Sequence, residues 1–174
     1  MIKTTNIHKT ASSGFTLLEV MVAMVIFSIG LLGLAGLQSA GLRNNQLSYS
    51  TSLATQLVYD MADRMRNNNN SVVINGYATT SSGFTPTATN CVTSSCASNV
   101  MVGFDLTEWD TSITGPNSPL RNAAWFITAL GGTPATFRIT IGWNIAGTGV
   151  TPVLANCTSP IPAAFSCVSV ETVP

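Results

Sequence analysis

With 174 residues, the chain has room for one domain beyond an anchor, and only 8% of it is charged. Setting aside the two lysines near the start, Lys3 and Lys9, leaves five arginines against seven acids, a side-chain charge of −2. No basic patch is available to neutralise phosphates, which argues against nucleic-acid binding by this chain alone. The single histidine, His8, precedes Gly14, so the rest of the chain cannot form a Ser–His or Cys–His nucleophile pair. No Gly-rich loop ending in Gly-Lys-Ser/Thr is present to cradle a phosphate, and no enzyme or cofactor is expected.

Residues 1–14 form a short polar leader that carries Lys3, His8 and Lys9 and ends in Ser12-Ser13-Gly14. Gly14 to Leu37 then reads GFTLLEVMVAMVIFSIGLLGLAGL, with Glu19 as its only charge. A run of that length crosses the hydrocarbon core of a bilayer as one helix. Both lysines precede it and Arg43 is the first basic residue after it, so the leader is expected to stay cytoplasmic and the bulk to be exported. An acid within such a helix is expensive, about 2.5–3.5 kcal/mol at mid-bilayer, and a plain anchor would have no reason to carry one. Cutting after Gly14 would free the α-amine of Phe15, four residues before Glu19. That amine could meet Glu19 within one helix or neutralise Glu19 of a neighbouring subunit. The alternative, an ordinary secretory signal, has an apolar region of roughly 7–15 residues followed by a small-residue cleavage site. Here the run is longer, and Ser39-Ala40-Gly41 is a weak site.

The Gly-Phe-Thr-Leu-Leu-Glu head of this run resembles the class III signal of type IV prepilins and pseudopilins. The resemblance implies cleavage between Gly14 and Phe15 by a membrane prepilin peptidase, methylation of the new amine, and a polymerisation role for Glu19. It also implies an α+β fold, in which a long helix packs on a small antiparallel sheet.

The helix is expected to continue past the membrane edge to Arg66, roughly 78 Å at 1.5 Å per residue. From Ala54 the apolar residues Leu57, Met61 and Met65 recur three or four apart, a stripe that suits packing on the chain's own head or a coiled-coil partner. Asp60 and Arg64, and Asp63 and Arg66, stand at ion-pair spacing with the acid first. Asn67 to Asn70 should end the helix through the left-handed conformation that asparagine tolerates. Gly30, Gly33, Gly36 and Gly41 interrupt the apolar half and suit close packing or local melting. The expected organisation is a leader over 1–14, a membrane or filament-core half-helix over 15–40, an amphipathic half over 41–66 and a head over 67–174.

Within the head, residues 67–100 read as a polar, loosely ordered connector. Met101 to Ser112 reads as a short helix with Trp109 as a core anchor and Asp105, Glu108 and Asp110 on a solvated face. Pro116 and Pro119 end it. Leu120 to Leu130 fits a strand or a helix. Ala135 to Asn144 alternates, with Phe137, Ile139, Ile141 and Trp143 on one face and Arg138, Thr140 and Asn144 on the other, which predicts a half-buried strand. A Gly/Pro-rich stretch from Gly147 to Pro162 precedes a last strand over Phe165 to Val173. The cysteines Cys91, Cys96, Cys157 and Cys167 lack zinc spacing and fit an oxidising compartment. Four cysteines allow three pairings, of which Cys91–Cys96 and Cys157–Cys167 are the local ones.

Further stretches are similar to the PilV group of type IV minor pilins: Gly30 to Gln38 (GLLGLAGLQ), Asp63 to Asn68 (DRMRNN), Asp105 to Trp109 (DLTEW) and the TIGW strand ending at Trp143. Leu130-Gly131-Gly132 departs from the Leu-Pro-Gly turn of that group. The resemblance implies a low-copy subunit that works with the prepilin peptidase, the major pilin, other minor pilins and the inner-membrane assembly platform. It would hold a single inner-membrane span with a periplasmic head before it enters a surface fibre. A minor pseudopilin of a type II secretion system, or a tip adhesin, shares the same signal.

Overall fold

The computed structural model describes residues 14–70, 73–87, 89–146, 149, 152, 157 and 164–174. Two compact units divide the chain, one up to Asn44 and one over Asn45–Pro174. Helix α1 (Leu17–Asn67) contributes to both. In the first unit every described residue is exposed, and the helix there is long and apolar enough to cross a membrane. Gly30, Gly33, Gly36 and Gly41 have nothing within 4 Å of where a Cβ would stand.

In the second unit α1 buries Ala54, Val58, Met61, Ala62 and Met65, a stripe three and four residues apart that packs on the chain's own core. The sheet is three-stranded and antiparallel, in the order β1 (Ala124–Gly131), β2 (Thr136–Asn144), β3 (Phe165–Thr172). Within this unit the amphipathic half of the long helix α1 shares one core with the sheet, which gives the α+β, pilin-like architecture. Helix α2 (Ser98–Thr114) closes the core with Val102, Leu106, Trp109 and Ile113. It is longer at both ends than the expected Met101–Ser112. It stops at Gly115, where a Cβ would collide with the Thr111 carbonyl and where the following proline favours an extended backbone.

Trp109, Trp125, Trp143, Tyr77 and Phe137 are the largest fully buried side chains. Each such ring removes on the order of 150–250 Å² from water, roughly 4–6 kcal/mol of transfer free energy as an upper estimate. Trp109 and Trp125 meet edge to face at 5.1 Å. The Trp109 indole N–H donates to the Leu57 carbonyl of α1 at 2.7 Å, which fixes α2 along the helix.

Several expectations change. The connector over 67–100 is irregular over the described residues from 81 to 97, but ahead of them a 3₁₀ turn over Ile74–Tyr77 buries both of its end residues, and Thr80 bridges to Phe126 of β1. Leu120–Leu130 resolves to strand only from Ala124. β2 is half-buried only at its start; from Ile139 onward both faces are covered. It is the central strand, its Thr140 lies between Phe126 and Ser169 in register, and Pro152 covers Gly142. The β1–β2 turn uses Gly131 and Gly132 at φ +79° and +103°, conformations that a Leu-Pro-Gly turn would supply differently. Among the described non-glycine residues only Asn122 has positive φ, so α1 does not end through a left-handed asparagine. Instead the Asn68 amide donates to Tyr77 Oη and to the Ser98 carbonyl, tying the helix end to the 3₁₀ turn and to α2. Most of the Gly147–Pro162 stretch lies outside the described residues.

Candidate functional site

Two side-chain groups carry chemistry, one in each unit. The first is the start of α1. Gly14, Phe15 and Thr16 stand ahead of the helix, which begins at Leu17. Phe15 is 83% exposed and Gly14 has nothing within 4 Å of a Cβ position. Thr16 caps the helix: its carbonyl accepts the Glu19 and Val20 N–H groups at 3.1 and 3.3 Å, and its Oγ1 accepts the Glu19 N–H at 3.3 Å. Thr16-Leu17-Leu18-Glu19 therefore has the Thr-x-x-Glu spacing of a capping box, of which the Thr half is formed.

Phe15 and Glu19 line one shallow groove with Val20, Ala23, Met24 and Phe27. Among the described residues the Glu19 carboxylate takes no hydrogen bond or ion pair, while its acidic charge sits in the first turn, where the helix dipole favours it. The structure thus brings Gly14, Phe15 and Glu19 to one end of an apolar helix. Lys3, His8 and Lys9 lie outside the described residues. Sequence reasoning missed Thr16, although a Thr three residues before a Glu at the head of an apolar run is the signal that finds it.

The second group is polar and lies in the head. Arg64 donates from Nε to Asp60 at 2.9 Å and from one terminal nitrogen to Glu108 at 2.9 Å and Asp105 at 3.3 Å. Asp105 is buried, and its other oxygen accepts the Tyr77 hydroxyl at 2.6 Å. Asp110 accepts the Trp125 indole N–H at 2.7 Å. The expectation of a solvated acidic face holds at Glu108, which is exposed while it pairs with Arg64, and is corrected at Asp105 and Asp110, which bond to core aromatics. The signal was legible, since Asp105 stands one helical turn before Trp109 on the stripe shared with Val102 and Ile113.

Burial, and then the bond to Asp105, push the Tyr77 phenol well above its ordinary value. For Arg64 burial works against the charge, but hydrogen bonds to Glu108 and Asp60 outweigh it and hold the guanidinium above its usual range. Every acid in this cluster is already engaged by a guanidinium, a phenol or an indole. Among the described residues no group of His, Cys, Asp and Glu is placed to hold a metal ion. The arrangement fastens α1, α2 and the 3₁₀ turn together. Disulfides join Cys91 to Cys96 ahead of α2 and Cys157 to Cys167 on β3.

Compared with known proteins, the chain matches the family model of the prokaryotic N-terminal methylation motif over residues 9–35. No curated protein and no solved structure matches it significantly. The matched segment contains Gly14, Phe15 and Glu19, and with the helix-on-sheet architecture it supports a type IV pilin-like protein, a pilin or pseudopilin.

Proposed function

We propose that this chain is a minor pilin of a type IV pilus, of the PilV group, incorporated at low abundance and active in pilus assembly. The observation that carries the reading is the start of α1, where an exposed Gly14–Phe15 bond and a Glu19 without a side-chain partner among the described residues head an apolar helix inside the methylation motif. Prepilin peptidase hydrolyses the Gly14–Phe15 bond: water leaves Gly14 with a carboxylate and Phe15 with an amine, which is then methylated. While the subunit is in the inner membrane, residues 15–40 span it and the head over 67–174 faces the periplasm. On docking with the major pilin and other minor pilins, the amine of one subunit meets Glu19 of another, so growth relieves an unpaired charge at the head of the membrane helix. The work of extraction comes from the assembly platform and its motor.

The assignment to this group is supported by a convergence in the head. The DRMRNN and DLTEW stretches, which lie far apart in the chain, meet through Arg64, Asp105 and Glu108. The helices that carry them, α1 and α2, are joined a second time by the bond from Trp109 to Leu57.

The test has two parts. Mass spectrometry of protein isolated from cells should find N-methyl-Phe15 as the first residue. A Glu19→Ala chain should accumulate in the inner membrane at wild-type level and be absent from sheared pili. Recovery of the variant in pili at wild-type level would refute the pairing. Recovery of wild-type chain only in a periplasmic piston, never in surface fibres, would move the assignment to a secretion pseudopilin.

A further inference from the structure

We infer that Thr16 is a positioning residue for leader removal: its cap on α1 holds the Gly14–Phe15 bond outside the helix, where a peptidase can reach it. The inference rests on the proposed cleavage at that bond. Two observations carry it. The helix begins at Leu17, so both residues of the scissile bond precede its first turn. The start is fixed by Thr16, whose Oγ1 and carbonyl both accept the Glu19 N–H, at 3.3 and 3.1 Å.

A peptide carbonyl is attacked on its face, and a bond wound into a helix presents that face poorly. Proteolysis accordingly concentrates in exposed, non-helical backbone. The apolar run that follows favours helix strongly and has no other polar side chain near its head able to stop the winding. Without the Thr16 hydroxyl, the nearest upstream residue of capping type is Gly14, followed by Ser13. A helix capped by Gly14 would take Phe15 into its first turn and tie up the scissile carbonyl of Gly14 in an intrahelical bond, and one capped by Ser13 would take in both residues. Hydrolysis, which needs only water as co-reactant, would then require that turn to unwind first.

The test uses the full-length chain in lipid vesicles with a purified prepilin peptidase, following loss of the leader by mass. Thr16→Ala and Thr16→Val, the second nearly isosteric without the hydroxyl, should be cut about fivefold more slowly, the size of one lost N-cap. Thr16→Ser should be cut at the wild-type rate. The ¹³C carbonyl shifts of Gly14 and Phe15 in the uncut chain should move toward helical values in the two slow variants alone. Equal cleavage of all four chains overturns the inference while leaving the cleavage itself standing. Slow cleavage with unmoved carbonyl shifts also overturns it, since Thr16 would then act by touching the peptidase. A wild-type chain that is never cut removes the reaction and the inference with it.

Discussion

Replacing Asp105 with alanine tests whether the head is held together by its polar cluster as well as by its aromatic core. The substitution removes two bonds of different worth. The Tyr77 hydroxyl at 2.6 Å donates to a buried carboxylate, a charge-assisted bond worth about 1.5–3 kcal/mol, and its loss orphans a buried proton. The Arg64 contact at 3.3 Å is weaker, and Arg64 keeps Asp60 and Glu108, so that part is worth about 0.2–1 kcal/mol at a partly exposed site. The expected total is about 2–4 kcal/mol, or a fall in Tm of roughly 10 °C for a unit of this size. Urea unfolding of the Asn45–Pro174 unit with its disulfides intact, followed by tryptophan fluorescence, measures it. A cycle with Tyr77→Phe should return a coupling of about 1–2 kcal/mol. A loss under about 0.5 kcal/mol, or additive single effects, would refute the assignment of Asp105 to the structural core.

The same Tyr77 predicts an alkaline limit. Its phenol is raised in the folded state, so the unfolded chain releases its proton first and stability falls as pH rises past the ordinary tyrosine value of about 10, at up to about 1.4 kcal/mol per pH unit. Comparing urea midpoints of wild type and Tyr77→Phe between pH 9 and pH 11 should show the slope only in the wild type. For the disulfides, the chain-entropy relation gives about 2 kcal/mol for Cys91–Cys96 and about 3 kcal/mol for Cys157–Cys167 from their loop lengths. Serine pairs at each site should show that order, and neither should unfold the head at 25 °C, because each loss is smaller than the roughly 5–15 kcal/mol net stability of a folded domain.

What the sequence made legible depended on whether a pattern has a period. The stripe from Ala54 to Met65 and the alternation from Phe137 to Trp143 repeat often enough to identify a helix face and a strand. The 3₁₀ turn over Ile74–Tyr77 has four residues and no period, and the hydroxyl of buried Tyr77 is satisfied by a carboxylate 28 positions away. Alternation also reports chemical type and not cover. Thr140 and Asn144 look solvated because they are polar, yet they are buried by a neighbouring strand and a returning loop. Asp105 was misread for the same reason, its charge outweighing its place on the helix stripe. At the amino-terminal site the residues with named roles in a motif, Gly14, Phe15 and Glu19, were legible at once. Thr16 acts only through the backbone, and its role needed the observed start of the helix.

The distribution of burial decides how failures of this protein are to be interpreted. No described residue before Ala54 is buried, and every core side chain from Ala54 onward belongs to the second unit. A substitution at Thr16 or Glu19 therefore removes nothing from the core that stabilises the head. Loss of filament entry in Glu19→Ala cannot be ascribed to an unfolded head, and slow processing in Thr16→Ala cannot be ascribed to one either. Conversely, Asp105→Ala leaves Gly14, Phe15 and Glu19 untouched, so it should be cut and methylated normally even where the head is weakened. The two classes of variant thus separate on a single pair of measurements, the mass of the amino-terminus and the urea midpoint of the head. A variant at Thr16 or Glu19 that shifted the midpoint would show that the start of α1 and the core are energetically linked, against what their burial implies.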